Sequence, residues 1–274
     1  MSMAPDGTVE ATTMFELARY EGRHRVLGAL ALTAGLGLLA IVDIALYPSM
    51  SATVNFDDYL KALPPAVLQA FGITTMSTIQ GFLSAELYAF GWVLLLGLYL
   101  AYSAAGLVAD DVERGRMDVL LSLPVSRSRV VAEKYLSLLV PIAVLNVVTP
   151  VVVYVGTQLV GDPIPIADLL AVHALSIPYL LACAGLGLAA SVVFDRASVA
   201  QRVAMAVLFA LFLVQSMVTG TDYAWLGSPA PMRYYDPTAV LVQGEYDLAG
   251  AAILLVAALV LVVASQQWFR RRDV

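Results

Sequence analysis

The densest group of side chains that could do chemistry falls between residues 110 and 134. Asp110, Asp111, Glu113, Arg114, Arg116 and Asp118 come first, and Arg127, Arg129, Glu133 and Lys134 close the stretch. Both signs of charge are present, Gly115 lies among them, and long apolar runs flank them. A membrane chain gathers ionised groups where they face water or a partner. The chemistry this spacing offers is ion pairing and docking. Two further carboxylates lie near membrane depth: Asp43 near the end of the first apolar run, Glu86 at the start of the second. An ionisable group there is a candidate for substrate or ion contact. Both are also close enough to the interface to remain hydrated.

Enzyme chemistry finds little support. Cys183 is the only cysteine, and His24 and His173 are far apart, so no His/Cys metal cluster can be drawn. No phosphate-binding loop occurs; Lys61 and Lys134 are the only lysines, and neither follows the required glycine run. A zinc-protease His-Glu-x-x-His and a Gly-x-Ser-x-Gly elbow are absent too. The chain is therefore expected to carry no catalytic residues, no metal and no cofactor of its own. Nucleic acid is not an expected partner.

The elements that must position the island are membrane spans. The chain has 274 residues, 60% hydrophobic and only 13% charged, with a mean hydropathy of +0.83. A soluble domain carries about 25% charged residues. Six runs approach the ~20 residues that cross a bilayer: 26–47, 87–109, 135–160, 169–194, 203–220 and 248–268. Thirteen Lys and Arg fall on one side and two, Lys61 and Arg233, on the other. The positive-inside rule then places both termini in the cytoplasm. Residues 1–25 are polar and charged, unlike a signal peptide. The expected fold is all-α and integral to the membrane, one domain over 1–274: a terminus to 25, six spans over 26–268, and a basic tail.

The remaining segments admit paired readings. Met14, Leu17 and Ala18 recur at helical spacing within 12–25, which suits an interfacial helix or a solvated terminus. Pro65 can open a short outer helix and Gly72 close it. Prolines 229, 231 and 237 forbid a long helix in the second outer segment. These outer segments either cap a path or merely connect spans. Asn146, Thr149, Gln215 and Ser216 within the spans either bond between helices or line a path. Pro141, Pro150 and Pro178 are expected to kink their spans. The small residues of 182–189 permit close helix approach, within the subunit or across a dimer. Acidic outer loops and few lysines suit a salt-rich habitat; a GC-rich genome would also favour Arg over Lys.

Within the island, Met117, Leu120 and Leu121 share one helical face, while Glu113, Arg114 and Asp118 lie elsewhere. Pro124 stops that helix, and Ser126 is a suitable N-cap for the next. The stretch Glu113-Arg-Gly-Arg-Met-Asp-Val-Leu-Leu-Ser-Leu-Pro-Val-Ser-Arg-Ser-Arg-Val-Val-Ala-Glu-Lys134 resembles the first cytoplasmic loop of ABC-2 type transporter permeases. That family has roughly Glu-x-x-Gly-Thr, then Leu-Leu-Ser-x-Pro and Ser-Arg, with a Lys before the next span. Arg116 replaces the usual Thr. The outer segments 63–72 and 228–237 resemble family segments more weakly.

The resemblance implies a non-catalytic permease of the plasma membrane of a prokaryote. It would pair with a second permease copy and dock two ATPase subunits that hold ATP and Mg. Glu113, Arg114, Gly115, Arg116, Asp118, Leu120, Leu121, Pro124 and Arg127 would form the ATPase-coupling segment. Phe15, Arg19 and Arg23 would belong to an elbow helix, and 195–202 would be a lesser contact. Asn146, Thr149, Gln215 and Asp43 are the candidates for a translocation path. Export is the family's usual direction. The rival readings are a stand-alone secondary carrier or channel, and a membrane scaffold.

Overall fold

Six apolar runs close their backbone hydrogen bonds internally, as a bilayer demands, and give six helical spans. The structure, a computed structural model, describes residues 16–122 and 125–272. Phe15 and Pro124, and the side chain of Leu121, lie outside the described residues. Helix is the only regular structure among the described residues.

The first span is α1, Glu16–Thr53. At 38 residues and 1.5 Å per residue it is about 57 Å long, well beyond a ~30 Å hydrocarbon core. An interfacial elbow helix is expected over 12–25, of which 12–15 lie outside the described residues. Residues 16–25 run into the span without a break. No proline interrupts them, and their first turn is fastened by Glu133 rather than laid loose on a surface.

Two short helices follow, α2 (Phe56–Ala62) and α3 (Pro65–Ala70). Pro65 opens α3, and Gly72 beyond its end has φ +60°, as its glycine allows. Phe71 packs on Phe212 of the fifth span, ring centroids 5.4 Å apart.

The second span comprises α4 (Ile79–Leu83), a π-helical stretch Ser84–Leu96 and α5 (Gly97–Ala105). The 13-residue π stretch far exceeds the single turn usual for that geometry. The helix then breaks at 106–108 and resumes as α6, Ala109–Glu113. Ser191 of the fourth span stabilises the break: its Oγ accepts from the Val108 and Ala109 N–H groups at 2.9 and 3.1 Å. Orphaned N–H groups inside a membrane would otherwise cost several kcal/mol each.

After α7 (Arg116–Leu121) comes the third span, α8 (Arg127–Leu136) and α9 (Leu139–Leu159). Ser126 caps α8 by accepting from the Arg129 N–H. The helix breaks at 137–138, where Pro141 has no N–H for the Ser137 carbonyl. Pro150 and Pro178 lie inside unbroken helices.

The fourth span, α10 (Ile166–Val193), is with the second the most enclosed. Its small residues serve packing within the chain. A Cβ on Gly187 would collide with the Ala101 carbonyl, and one on Gly185 would lie 3.2 Å from Leu261. The fifth span is α11 (Ala197–Val218) and the sixth α12 (Leu248–Arg271). Between them only short 3-10 and π turns form, as the prolines require. Tyr235 reaches back into the bundle: its hydroxyl donates to the Val172 carbonyl at 2.9 Å, and its ring stacks on Tyr179.

Candidate functional site

The charged island folds into two short helices set on the basic end of the bundle. Gly115 joins them. Its φ of +66° turns α6 into α7, and a Cβ there would meet nothing within 4 Å. Glycine is needed for the backbone conformation alone. Met117 is buried and Leu120 packs against the core. Asp118 is exposed, and Val119 is 68% exposed. The amphipathic helix expected from spacing is therefore present.

Beneath it lies a buried ionic knot. Lys134 on α8 is only 2% exposed. Its Nζ lies 2.6 Å from Asp111 Oδ2 on α6 and 2.7 Å from Glu21 Oε1 on α1. Asp111 Oδ1 in turn accepts Arg116 Nη2 at 2.8 Å, on α7. One ammonium thus joins three helical elements, and Arg116 ties in a fourth through Asp111. Asp110 pairs with both Arg114 (2.8 Å) and Arg116 (2.5 Å) nearer the surface. Desolvation works against the charged form of Arg116, but Asp111 and Asp110 together more than offset it and raise its pKa above the ordinary value.

Two carboxylates act on helix ends. Glu133 Oε2 accepts from the Leu17 and Ala18 N–H groups at 3.1 and 3.3 Å, and its Oε1 takes Arg129 Nε at 2.7 Å. Glu113 Oε2 accepts from the Ala197 N–H at 2.8 Å. Arg196, the N-cap of α11, provides no side-chain cap, so Glu113 satisfies that N–H from another loop. A carboxylate is favoured there by the helix dipole as well. This bond fixes the 195–202 segment to the island.

Arg127 takes a different place. Its guanidinium donates to the Arg272 carbonyl and lies 5.9 Å over the Phe269 ring. Arg272 donates to the Val192 carbonyl at 2.6 Å and pairs with Asp195. The end of α12 is thereby bound to the start of α8. The groups left facing outward from the island are Arg114, Gly115, Arg116, Asp118 and Val119. Arg19 and Arg23 are exposed on α1.

Residues 17–274 match the model of the ABC-2 family transporter proteins. The chain belongs to the ABC-2 transporter family. No curated protein matches it. This ABC-2 permease is a multi-pass membrane protein, with six helices long and apolar enough to span among the described residues.

The path candidates of the permease do not converge. Asn146 is held between the third and fourth spans: its Nδ2 donates to the Ile142 carbonyl, and its Oδ1 accepts from Ser176. Thr149 is fully buried, and its Oγ1 lacks a hydrogen-bond partner among the described residues. Gln215 lines a cavity of about 190 Å³ at the acidic end, with Phe71, Arg233 and Asp236. Asp43 lines another cavity, with Glu86. Sequence reasoning missed the parts played by Asp111, Lys134 and Glu21, and the outward apolar Val119. The signals for Lys134 were the rarity of lysine in the chain and the family pattern's Lys before the next span.

Proposed function

We propose that the permease is the membrane half of an ATP-driven exporter, and that residues 113–122 form its coupling helix. On this reading Arg114, Arg116, Asp118 and Val119 meet a cleft in a separate ATPase subunit, which holds ATP and Mg. Two ATPase copies act on a dimer of permeases, and the island faces the cytoplasm.

One observation carries the reading: the outward face of α7 stands on the buried Lys134–Asp111–Glu21 knot. A solvated hairpin that only set topology would not need a fully buried ammonium. Removing two ions from water is expensive, and a buried pair is a poor source of stability. Its use here is to make α7 move as one body with α1 and α8. A push on α7 then reaches the first and third spans through ionic contacts and the second through α6. Glu113 carries the same push to α11.

The test compares Arg114→Glu/Val119→Glu with the unaltered permease in membranes that hold both subunits. Loss of ATPase association and transport, with the permease still folded, supports the reading. Unaltered association and transport removes it.

A further inference from the structure

Near the acidic end of the bundle, a cavity of about 470 Å³ opens between α1, α2 and the start of the second span. Asp43 and Glu86 both line it. Phe56, Tyr59, Met76 and Phe82 supply much of the remaining wall. Its size falls within the range of small-molecule sites, about 300–1,000 Å³.

The carboxylates have no resident counter-ion. Asp43 is 9% exposed, and its Oδ2 has no hydrogen-bond partner among the described residues. Neither Asp43 nor Glu86 forms an ion pair among the described residues, whereas the enclosed carboxylates of the basic end, Asp111 and Glu133, are paired. The acidic end has two basic side chains. Lys61 pairs with exposed Asp58, and Arg233 donates to the Ala224 carbonyl and lines a different cavity. An unpaired acid at membrane depth is costly and marks a functional position. Glu86, an exposed carboxylate on the same wall, adds repulsion. A cation from outside the chain would relieve both.

The wall also indicates which cation. A hard metal ion takes six or more oxygens, and beyond the two carboxylates the lining offers only the Tyr59 hydroxyl from a side chain. Phenylalanine, tyrosine and methionine instead suit a diffuse charge on an apolar body. Phe56 and Phe82 lie 5.8 Å apart at 52°, with Tyr47 behind them at 6.4 and 5.4 Å. The floor is thus a packed aromatic cluster. We infer that the Asp43–Glu86 cavity binds an amphipathic organic cation, such as a quaternary ammonium or phosphonium. This names a substrate class for the exporter proposed above and rests on that reading only for the direction of travel.

The test uses the full-length permease alone in lipid nanodiscs, without any ATPase, and radiolabelled tetraphenylphosphonium as probe. Saturable binding is expected. Asp43→Asn should weaken it by roughly tenfold or more, as should removal of an aromatic wall in Tyr59→Ala. Asp43→Asn should also leave the melting temperature unchanged or raised, because it removes an unpartnered buried charge. A structural Asp43 would give the opposite shift. Absence of saturable binding, wild-type affinity in both variants, or equal displacement by neutral triphenylphosphine oxide would overturn the assignment. So would a lowered melting temperature in Asp43→Asn with wild-type affinity in Tyr59→Ala. Failure to find an ATPase partner would leave these results intact, so the two proposals fail separately.

Discussion

Lys134 Nζ lies 2.6 Å from Asp111 Oδ2, and both side chains are almost wholly enclosed. They belong to the helices before and after α7 in the chain, and Glu21 joins the same ammonium from the first span. Helix α7 is therefore tied to the spans from below while its outer face stays open.

The first prediction concerns this pair. Lys134→Met leaves Asp111 and Glu21 without their shared cation. Breaking a buried pair from one side costs about 3–5 kcal/mol. A clear fall in melting temperature is expected in detergent or nanodiscs. Lys134→Met/Asp111→Asn should lose less than the sum of the two single changes, by about 1 kcal/mol or more. Additive losses would show that the two residues do not act as a unit.

Glu113 and Arg114 should separate into different roles. Glu113→Ala removes the acceptor for the Ala197 N–H and should cost about 1 kcal/mol, the usual worth of a cap. Arg114→Glu breaks only an exposed pair with Asp110 and should change stability by less than about 1 kcal/mol. ATPase association should fall in Arg114→Glu with the fold intact. Thermal melting and co-purification together read both effects.

Gly115→Ala tests the turn. Nothing crowds the position, so the cost is that of a left-handed residue, about 1–2 kcal/mol. Because the strain re-aims α7, ATP-driven transport should fall further than the melting temperature suggests. A variant with full transport would show that the orientation of α7 is unimportant.

Cross-linking checks the join between the loops. Cysteines placed at Glu113 and Ala197, whose side chain and backbone meet at 2.8 Å, should be joined by a short bis-maleimide cross-linker once Cys183 is replaced by Ala. Locking the two loops together should spare transport, since they move as one body. Transport that stops on locking would mean that they separate during the cycle.

Much of this was legible in the residues. Apolar run lengths gave six spans, and the structure lengthens most of them at their ends; the second begins at Ile79 rather than 87. Local rules also worked: Ser126 caps α8, Pro65 opens α3, and Met117 and Leu120 turn inward on α7. Each of those depends on neighbours within a turn or two. What stayed hidden were pairings across long separations. Ser191 meets Val108, Glu113 meets Ala197, and Lys134 meets Glu21, each some eighty or more residues apart. Periodicity carries no information about such partners. The contacts of residues 16–25 were hidden for the same reason: Glu133 and Lys134 hold them in line with the first span. The four path candidates were chosen for polarity alone, which does not say which cavity a side chain faces.

The central claim is that an ATPase docks on the outward face of α7. The most direct measurement is ATP hydrolysis in the complex purified through a tagged permease from its native membranes. The account predicts a co-purifying ATPase subunit with the unaltered chain, and its loss with Arg114→Glu/Val119→Glu while the permease melts normally. A complex without any ATPase, or one that keeps its ATPase in the double variant, would contradict it.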